Sequence, residues 1–239
     1  MVAPFVTAAH VPTILLVLQL VCKTVIALPS HQGLVAYHHE HAAIQHTHGS
    51  YHEVSLATRG LADEVQLRIL PLGASIVYGL KSSDGNGFRY PLRNQLVNGN
   101  PVNMIGSVHA GTMADNDCEG WPGYVITQVA EKAELSIPSQ PNLVLLHVGT
   151  NDAVQSVDIQ NAATCLGTLI DRLFDAIPGV TIIASTLLPN ANANTQANID
   201  IYHSQIPDTI RTRQEAKQKI TYVDFSSPYF SVSDLGDDG

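Results

Sequence analysis

From residue 67 onward, short apolar runs alternate with longer stretches in which apolar positions recur every three or four residues. The runs at 67–72 (LRILPL), 102–105 (VNMI), 143–148 (LVLLHV), 180–187 (VTIIASTL) and 220–225 (ITYVDF) are rich in leucine or β-branched residues and are continuous rather than alternating. Continuous apolar strands are buried on both faces. The stretches between them, at 87–97, 124–135, 162–176 and 199–219, predict helices. In the third, Leu166, Leu169, Ile170, Leu173 and Phe174 fall on one face. Strand–helix alternation predicts a single α/β domain over 67–239, with helices on both faces of a short, parallel, five-stranded sheet. Pro178-Gly179 and Pro189-Asn190 mark turns at strand ends.

The first 66 residues have a different texture. Residues 11–22 (VPTILLVLQLVC) form an apolar run, followed by Lys23 and by Val25-Ile26-Ala27. That order predicts a secretory signal peptide over 1–27, cleaved near Leu28, although nothing before the run is basic except the amino terminus. The run is shorter than the ~20 residues a membrane span requires, so no stable membrane insertion is expected after cleavage. An uncleaved anchor is the alternative. Residues 28–66 hold seven of the 11 histidines: His31, His38, His39, His41, His46, His48 and His52. They read as a disordered linker; the alternative is a metal-binding tract, but no cysteine accompanies them and their spacing matches no closed zinc site. Cys22 leaves with the leader, while Cys118 and Cys165 remain as either a disulfide or two free thiols.

Composition narrows the partners. The net charge is −9 and only 14% of residues are charged. No basic stripe is present to displace counterions from phosphates, so nucleic acid is excluded as a partner. With 45% hydrophobic residues the chain can bury a sizeable core, and a monomer is expected.

Chemistry concentrates where the strands end, the edge at which open α/β sheets bind ligands. The first strand runs into Gly73-Ala74-Ser75, the second into Gly106-Ser107, and the third into Gly149-Thr150-Asn151-Asp152. A serine on a tight turn after a strand is a candidate nucleophile. An unobstructed glycine N–H and an asparagine amide are the donors of an oxyanion hole. Each alone is ordinary turn chemistry; their succession at consecutive strand ends is the signal. A nucleotide binder on such a sheet is disfavoured, because the first turn lacks G-x-G-x-x-G spacing.

These residues resemble blocks I, II and III of the SGNH (GDSL-type) hydrolases. The longer stretches LRILPLGASIVYG, DGNGFRYPLRNQL, MIGSVHAGTMADNDCEGWPGY and LLHVGTND resemble the carbohydrate esterase family 3 branch, which includes acetyl xylan esterases. The resemblance implies a flavodoxin-like three-layer α/β/α sandwich and metal-free, cofactor-free hydrolysis of a small-molecule or polysaccharide ester outside the cell. It implies Ser75 as nucleophile and first oxyanion donor, with the Gly106 N–H and the Asn151 side chain as the others. Ala74 departs from the name-giving motif, which has aspartate there; a carboxylate is lost but not the hydroxyl. The acidic cluster 115–121 reads as a substrate-facing loop or a solvated turn, and Asp152 as a structural turn residue rather than a catalytic acid.

A serine hydroxyl needs a base. The resemblance implies one from a late Asp-x-x-His block, and Asp238-Gly239 matches its first half before the sequence stops. Loss of a triad histidine costs on the order of a millionfold in turnover, so a C-terminally truncated, near-inactive chain is expected. Among the other histidines, His147 reads as a core residue and His203 as a packed or solvated helix residue. His109, three positions past Gly106, is the one candidate near Ser75. The expectation is a secreted serine esterase acting through acyl-Ser75. The alternatives are a catalytically dead carbohydrate-binding relative and an esterase of the lipase or lysophospholipase type.

Overall fold

The computed structural model describes residues 65–226 and 230–235. The expected signal peptide, the histidine tract and Asp238 lie outside these residues. In chain order the elements are β1 (Leu67–Gly73), α1 (Ser75–Tyr78), α2 (Arg89–Leu96), β2 (Val102–Met104), β3 (Val108–His109), β4 (Asp117–Gly120) and α3 (Ile126–Ala133). They continue with β5 (Leu143–His147), α4 (Thr150–Gln155), α5 (Ala162–Ala176), β6 (Thr181–Ser185), α6 (Ala193–Glu215) and β7 (Ile220–Val223). Among the described residues no helix is long and apolar enough to cross a membrane.

The five apolar runs all form strands, parallel to one another and ordered β2-β1-β5-β6-β7. The three central runs, β1, β5 and β6, are covered on both faces, whereas β2 and β7 at the margins are partly exposed. On one face Leu70, Leu72, Val144, Leu146 and Ile182 pack against α3, α5 and α6. On the other, Leu67, Ile69, Leu143, Leu145 and Ile183 meet Leu92 and Leu96 of α2 together with Phe225 and Phe230. The α5 stripe is as its periodicity predicts: Leu166, Leu169, Ile170 and Leu173 are buried, and Phe174 packs at the margin.

The sheet has seven strands, not five. The two extra strands are short. β4 runs parallel to β1 at Leu72 and Gly73, beyond the stretch where β2 pairs with Leu67–Ile69, and β3 pairs antiparallel with β4. Thus β2 and β4 share one edge of β1, β2 along its start and β4 along its end. The centre of the acidic cluster is therefore strand β4 rather than a loop or a turn. Asp115 binds Arg93 at 2.7 Å and accepts the Met104 N–H; Asp117 pairs with His109; Glu119 is fully buried. Helix α6 begins at Ala193 rather than 199, because the Asn192 side chain accepts from the N–H groups of Asn194 and Thr195 and caps it.

The two cysteines are free thiols. Cys118, on β4, packs with Val77 and Ala110, whereas Cys165 lies on α5 against the opposite core. Burial pushes the Cys118 thiol pKa up, so this thiol is a packing residue rather than a nucleophile.

Candidate active site

Strand β1 ends with its backbone pressed against β5. A side chain at Gly73 would put its Cβ 2.0 Å from the His147 carbonyl oxygen, so this position requires glycine. Directly after it the chain turns into the single-turn helix α1, with Ser75 as the first helical residue. Ser75 is 3% exposed, and its hydroxyl makes no hydrogen bond among the described residues.

The turn after β2 is held just as closely. A Cβ on Gly106 would fall 2.0 Å from both the carbonyl carbon and oxygen of Cys118. The next residue is tied to β4: the Ser107 N–H donates to Glu119 at 3.0 Å and the Ser107 hydroxyl at 2.8 Å. Since Glu119 pairs with Leu72 and Gly120 with Gly73, this tie draws the Gly106 turn to the end of β1. The Trp121 N–H then donates to the Gly73 carbonyl at 3.0 Å, locking the β4 end beside the serine turn.

After β5, Asn151 sits in the first turn of α4, buried, and donates one amide hydrogen to the Tyr124 carbonyl at 2.8 Å. One donor fixes the side chain, and its second N–H remains for a ligand. The neighbouring Asp152 accepts the Ile126 N–H at 3.1 Å and so caps α3. Asp152 is thus structural. Ser75, Gly106 and Asn151 accordingly stand on the turns following β1, β2 and β5, three adjacent strands of the carboxyl edge. Asp238 lies outside the described residues.

None of the three described histidines serves Ser75 as a base. His109 is exposed and bound to Asp117 at 2.6 Å, three residues upstream of Gly120 on β4, about 10 Å along the strand. His203 accepts the Leu187 N–H through Nε2. His147 is buried, shares a 2.7 Å hydrogen bond with the Ser185 hydroxyl, and has its pKa lowered to about 4 by burial and, secondarily, by His203. An imidazole that resists protonation this strongly cannot hold the serine proton at neutral pH.

Burial also raises the Asp152 pKa to about 6, and the two shifts oppose each other in stability. As pH rises from about 4 to 6, Asp152 loses its proton more readily in the unfolded chain, so folding weakens. Over the same interval His147 is protonated chiefly in the unfolded chain, so folding strengthens as pH rises. The expected result is a nearly flat contribution from this pair. Asp152→Asn removes one arm, and its unfolding free energy should then climb by up to about 3 kcal/mol between pH 4 and 6.5. Urea titrations across that range check this; an unchanged pH slope would contradict it.

Two buried charged residues carry no sequence signal of their own: Glu119 and Arg89, each 0% exposed. Both satisfy partners more than ten residues away in sequence, which neither hydropathy nor spacing encodes.

The profile of the GDSL-like lipase/acylhydrolase family matches residues 72–239, well over half of the chain. The chain belongs to that family. The fold of this GDSL-like hydrolase is similar to that of a family 3 carbohydrate esterase of Clostridium thermocellum, with a TM-score of 0.63 and 26% identity over 72% of this chain and 87% of that one. A family 3 carbohydrate esterase from Talaromyces cellulolyticus shares the fold at a TM-score of 0.59 and 20% identity, covering 72% of this chain and 86% of the other. Over 100 residues the hydrolase is 31% identical to an Acetivibrio thermocellus protein named "Putative endoglucanase X", a stretch that is 41% of this chain and 42% of that protein. The match therefore spans about two fifths of that curated relative.

Proposed function

We propose that this GDSL-like hydrolase is a secreted serine esterase that removes acetyl or other short acyl groups from carbohydrate. Ser75 Oγ attacks the ester carbonyl carbon and gives up its proton. A general base accepts it. The carbonyl oxygen, now negative, lies among the N–H groups of Ser75 and Gly106 and the free N–H of Asn151. Collapse breaks the bond to the sugar oxygen, which takes the proton, and leaves acyl-Ser75. Water, deprotonated by the same base, then releases the acid and restores the serine.

The observation that carries this reading is the state of Asn151. Its amide is fixed by the Tyr124 carbonyl at 2.8 Å with one donor to spare, on the turn after the strand that neighbours the Ser75 strand. Donors fixed before the reaction stabilise developing charge without reorganising. Asn151→Ala should lower kcat for p-nitrophenyl acetate by about 10²–10³-fold with little change in KM. A raised KM with kcat unchanged would instead mark Asn151 as a ground-state binding residue. The carbohydrate part of the reading rests on the family 3 carbohydrate esterases among the similar folds. It is tested by acetate release from acetylated xylan, with p-nitrophenyl butyrate and lysophospholipid as competing substrates. Saturable binding to acetylated xylan without acetate release would favour a binding-only relative.

A further inference from the structure

Glu119 is a carboxylate with no cation bound to it among the described residues, and it is completely buried. Its two oxygens accept four hydrogen bonds. Oε1 receives the Ser107 hydroxyl at 2.8 Å and the Trp121 indole N–H at 2.6 Å; Oε2 receives the Ser107 N–H at 3.0 Å and the Ser136 hydroxyl. Burying a carboxylate is costly unless its lone pairs are filled. Here four neutral donors from three separate segments fill them. Those segments are the Gly106–Ser107 turn, the residue that follows β4, and the turn after α3.

We infer that Glu119 is the positioning residue of the oxyanion hole, fixing the Gly106 N–H through Ser107 and holding Trp121 at the lip of the site. The inference rests on the esterase reading above and deepens it. The peptide linking Gly106 to Ser107 has one side anchored, because the Ser107 N–H points at Glu119 Oε2. The Gly106 N–H, one residue earlier, keeps its direction only if that anchor holds. A Cβ-free Gly106 lies against Cys118, so the turn is clamped between β4 backbone on one side and the Glu119 carboxylate on the other. Trp121 is held in turn by three contacts: its indole N–H on Glu119, its ring 5.6 Å from Tyr124, and Lys132 Nζ 4.3 Å above it. Tyr124 is the residue whose carbonyl fixes Asn151. One carboxylate thereby links the supports of two of the three proposed oxyanion donors.

Glutamine at this position keeps the shape but replaces one acceptor oxygen with a donor that confronts the donors already there. The test compares the unsubstituted protein with Glu119→Gln and the milder Ser107→Ala, which keeps the Ser107 N–H. Glu119→Gln is expected to lower kcat for p-nitrophenyl acetate about 10²-fold, and Ser107→Ala about 10-fold, with KM held within about threefold. Residue-resolved amide exchange should show the Ser107 N–H exchanging at least about 10-fold faster in Glu119→Gln while β1 and β5 amides are unchanged. The emission of Trp121, the only tryptophan, should shift as its indole loses the carboxylate. If Glu119→Gln does not fold, Ser107→Ala decides on the same kcat and KM readouts. Unchanged kcat in a folded Glu119→Gln, or an unchanged Ser107 exchange rate, overturns the inference. Turnover that survives Ser75→Ala overturns the esterase reading instead, and the exchange measurement separates the two failures.

Discussion

Ser75→Ala should lower turnover of p-nitrophenyl acetate by on the order of 10⁴–10⁶-fold while leaving the protein folded. The loss corresponds to roughly 5–8 kcal/mol of transition-state stabilisation, the scale seen when a nucleophile that acts as a unit with its base is removed. Residual rate from the oxyanion donors and binding keeps the loss finite. Stability should change by less than about 0.5 kcal/mol, because the Ser75 hydroxyl makes no hydrogen bond among the described residues and alanine suits the start of α1. Steady-state kinetics beside a thermal melt separate the two effects. A variant that is inactive because it is unfolded, or one that is folded and fully active, would each contradict the assignment.

The largest stability effect is expected at a residue that touches no substrate. Arg89 is wholly buried, and its guanidinium donates only to backbone carbonyls. Nη1 reaches Asn116 at 3.0 Å; Nη2 reaches Tyr78, Gly85 and Ala110 at 2.9, 3.0 and 2.8 Å. Two hydrogens on Nη2 serve three carbonyls, so at least one bond is shared. Burial lowers the Arg89 pKa, yet arginine stays charged, and the carbonyl dipoles stabilise it. These carbonyls belong to the end of α1, the loop that follows it and the loop before β4, the segments that wrap the serine turn. Arg89→Leu leaves the Tyr78, Gly85 and Ala110 carbonyls without this donor, at about 1–3 kcal/mol for each that stays buried, while Asn116 keeps the Ala110 N–H. The expected loss is at least about 3 kcal/mol, or about 6–12 °C in Tm for a domain of this size. Arg89→Lys should recover only part, since three donors on a single nitrogen cannot span the same carbonyls. Arg211→Ala, at an exposed helical ion pair, is the control and should leave Tm nearly unchanged. A Tm for Arg89→Leu within about 2 °C of the unsubstituted protein would show that the guanidinium is not the fastener of these loops.

The parts of the fold that were legible are those where burial leaves a periodic trace. Runs such as LVLLHV must be strands because both faces are covered, and the α5 stripe must face the sheet. The carboxyl-edge rule then places Ser75, Gly106 and Asn151 at one edge of the sheet, while the order β2-β1-β5 that makes their turns neighbours is seen only in the structure. Strand β4 was illegible for the opposite reason. Its sequence, DCEG, has no apolar run, and its buried carboxylate is tolerated only because Ser107, Trp121 and Ser136 converge on it. Arg89 looked like one polar residue of a helix whose other face carries Leu92 and Leu96; its partners lie in loops whose approach no local pattern encodes. Helices α1 and α4, of four and six residues, are too short to show a period at all. At α6, the asparagine-rich run 190–198 resembles a loop, and the cap at Asn192 shows itself only once its side chain is seen on the N–H groups beyond.

The central claim is that an ester is cleaved through a covalent bond to Ser75, and rapid-quench mass spectrometry tests it most directly. The protein is mixed with p-nitrophenyl acetate, quenched in acid within the first turnover and digested. The account predicts one acetyl group on the peptide containing Ser75, absent in Ser75→Ala and decaying at the rate of steady-state turnover. Hydrolysis without acetylation of that peptide, or acetylation that persists in Ser75→Ala, would contradict it.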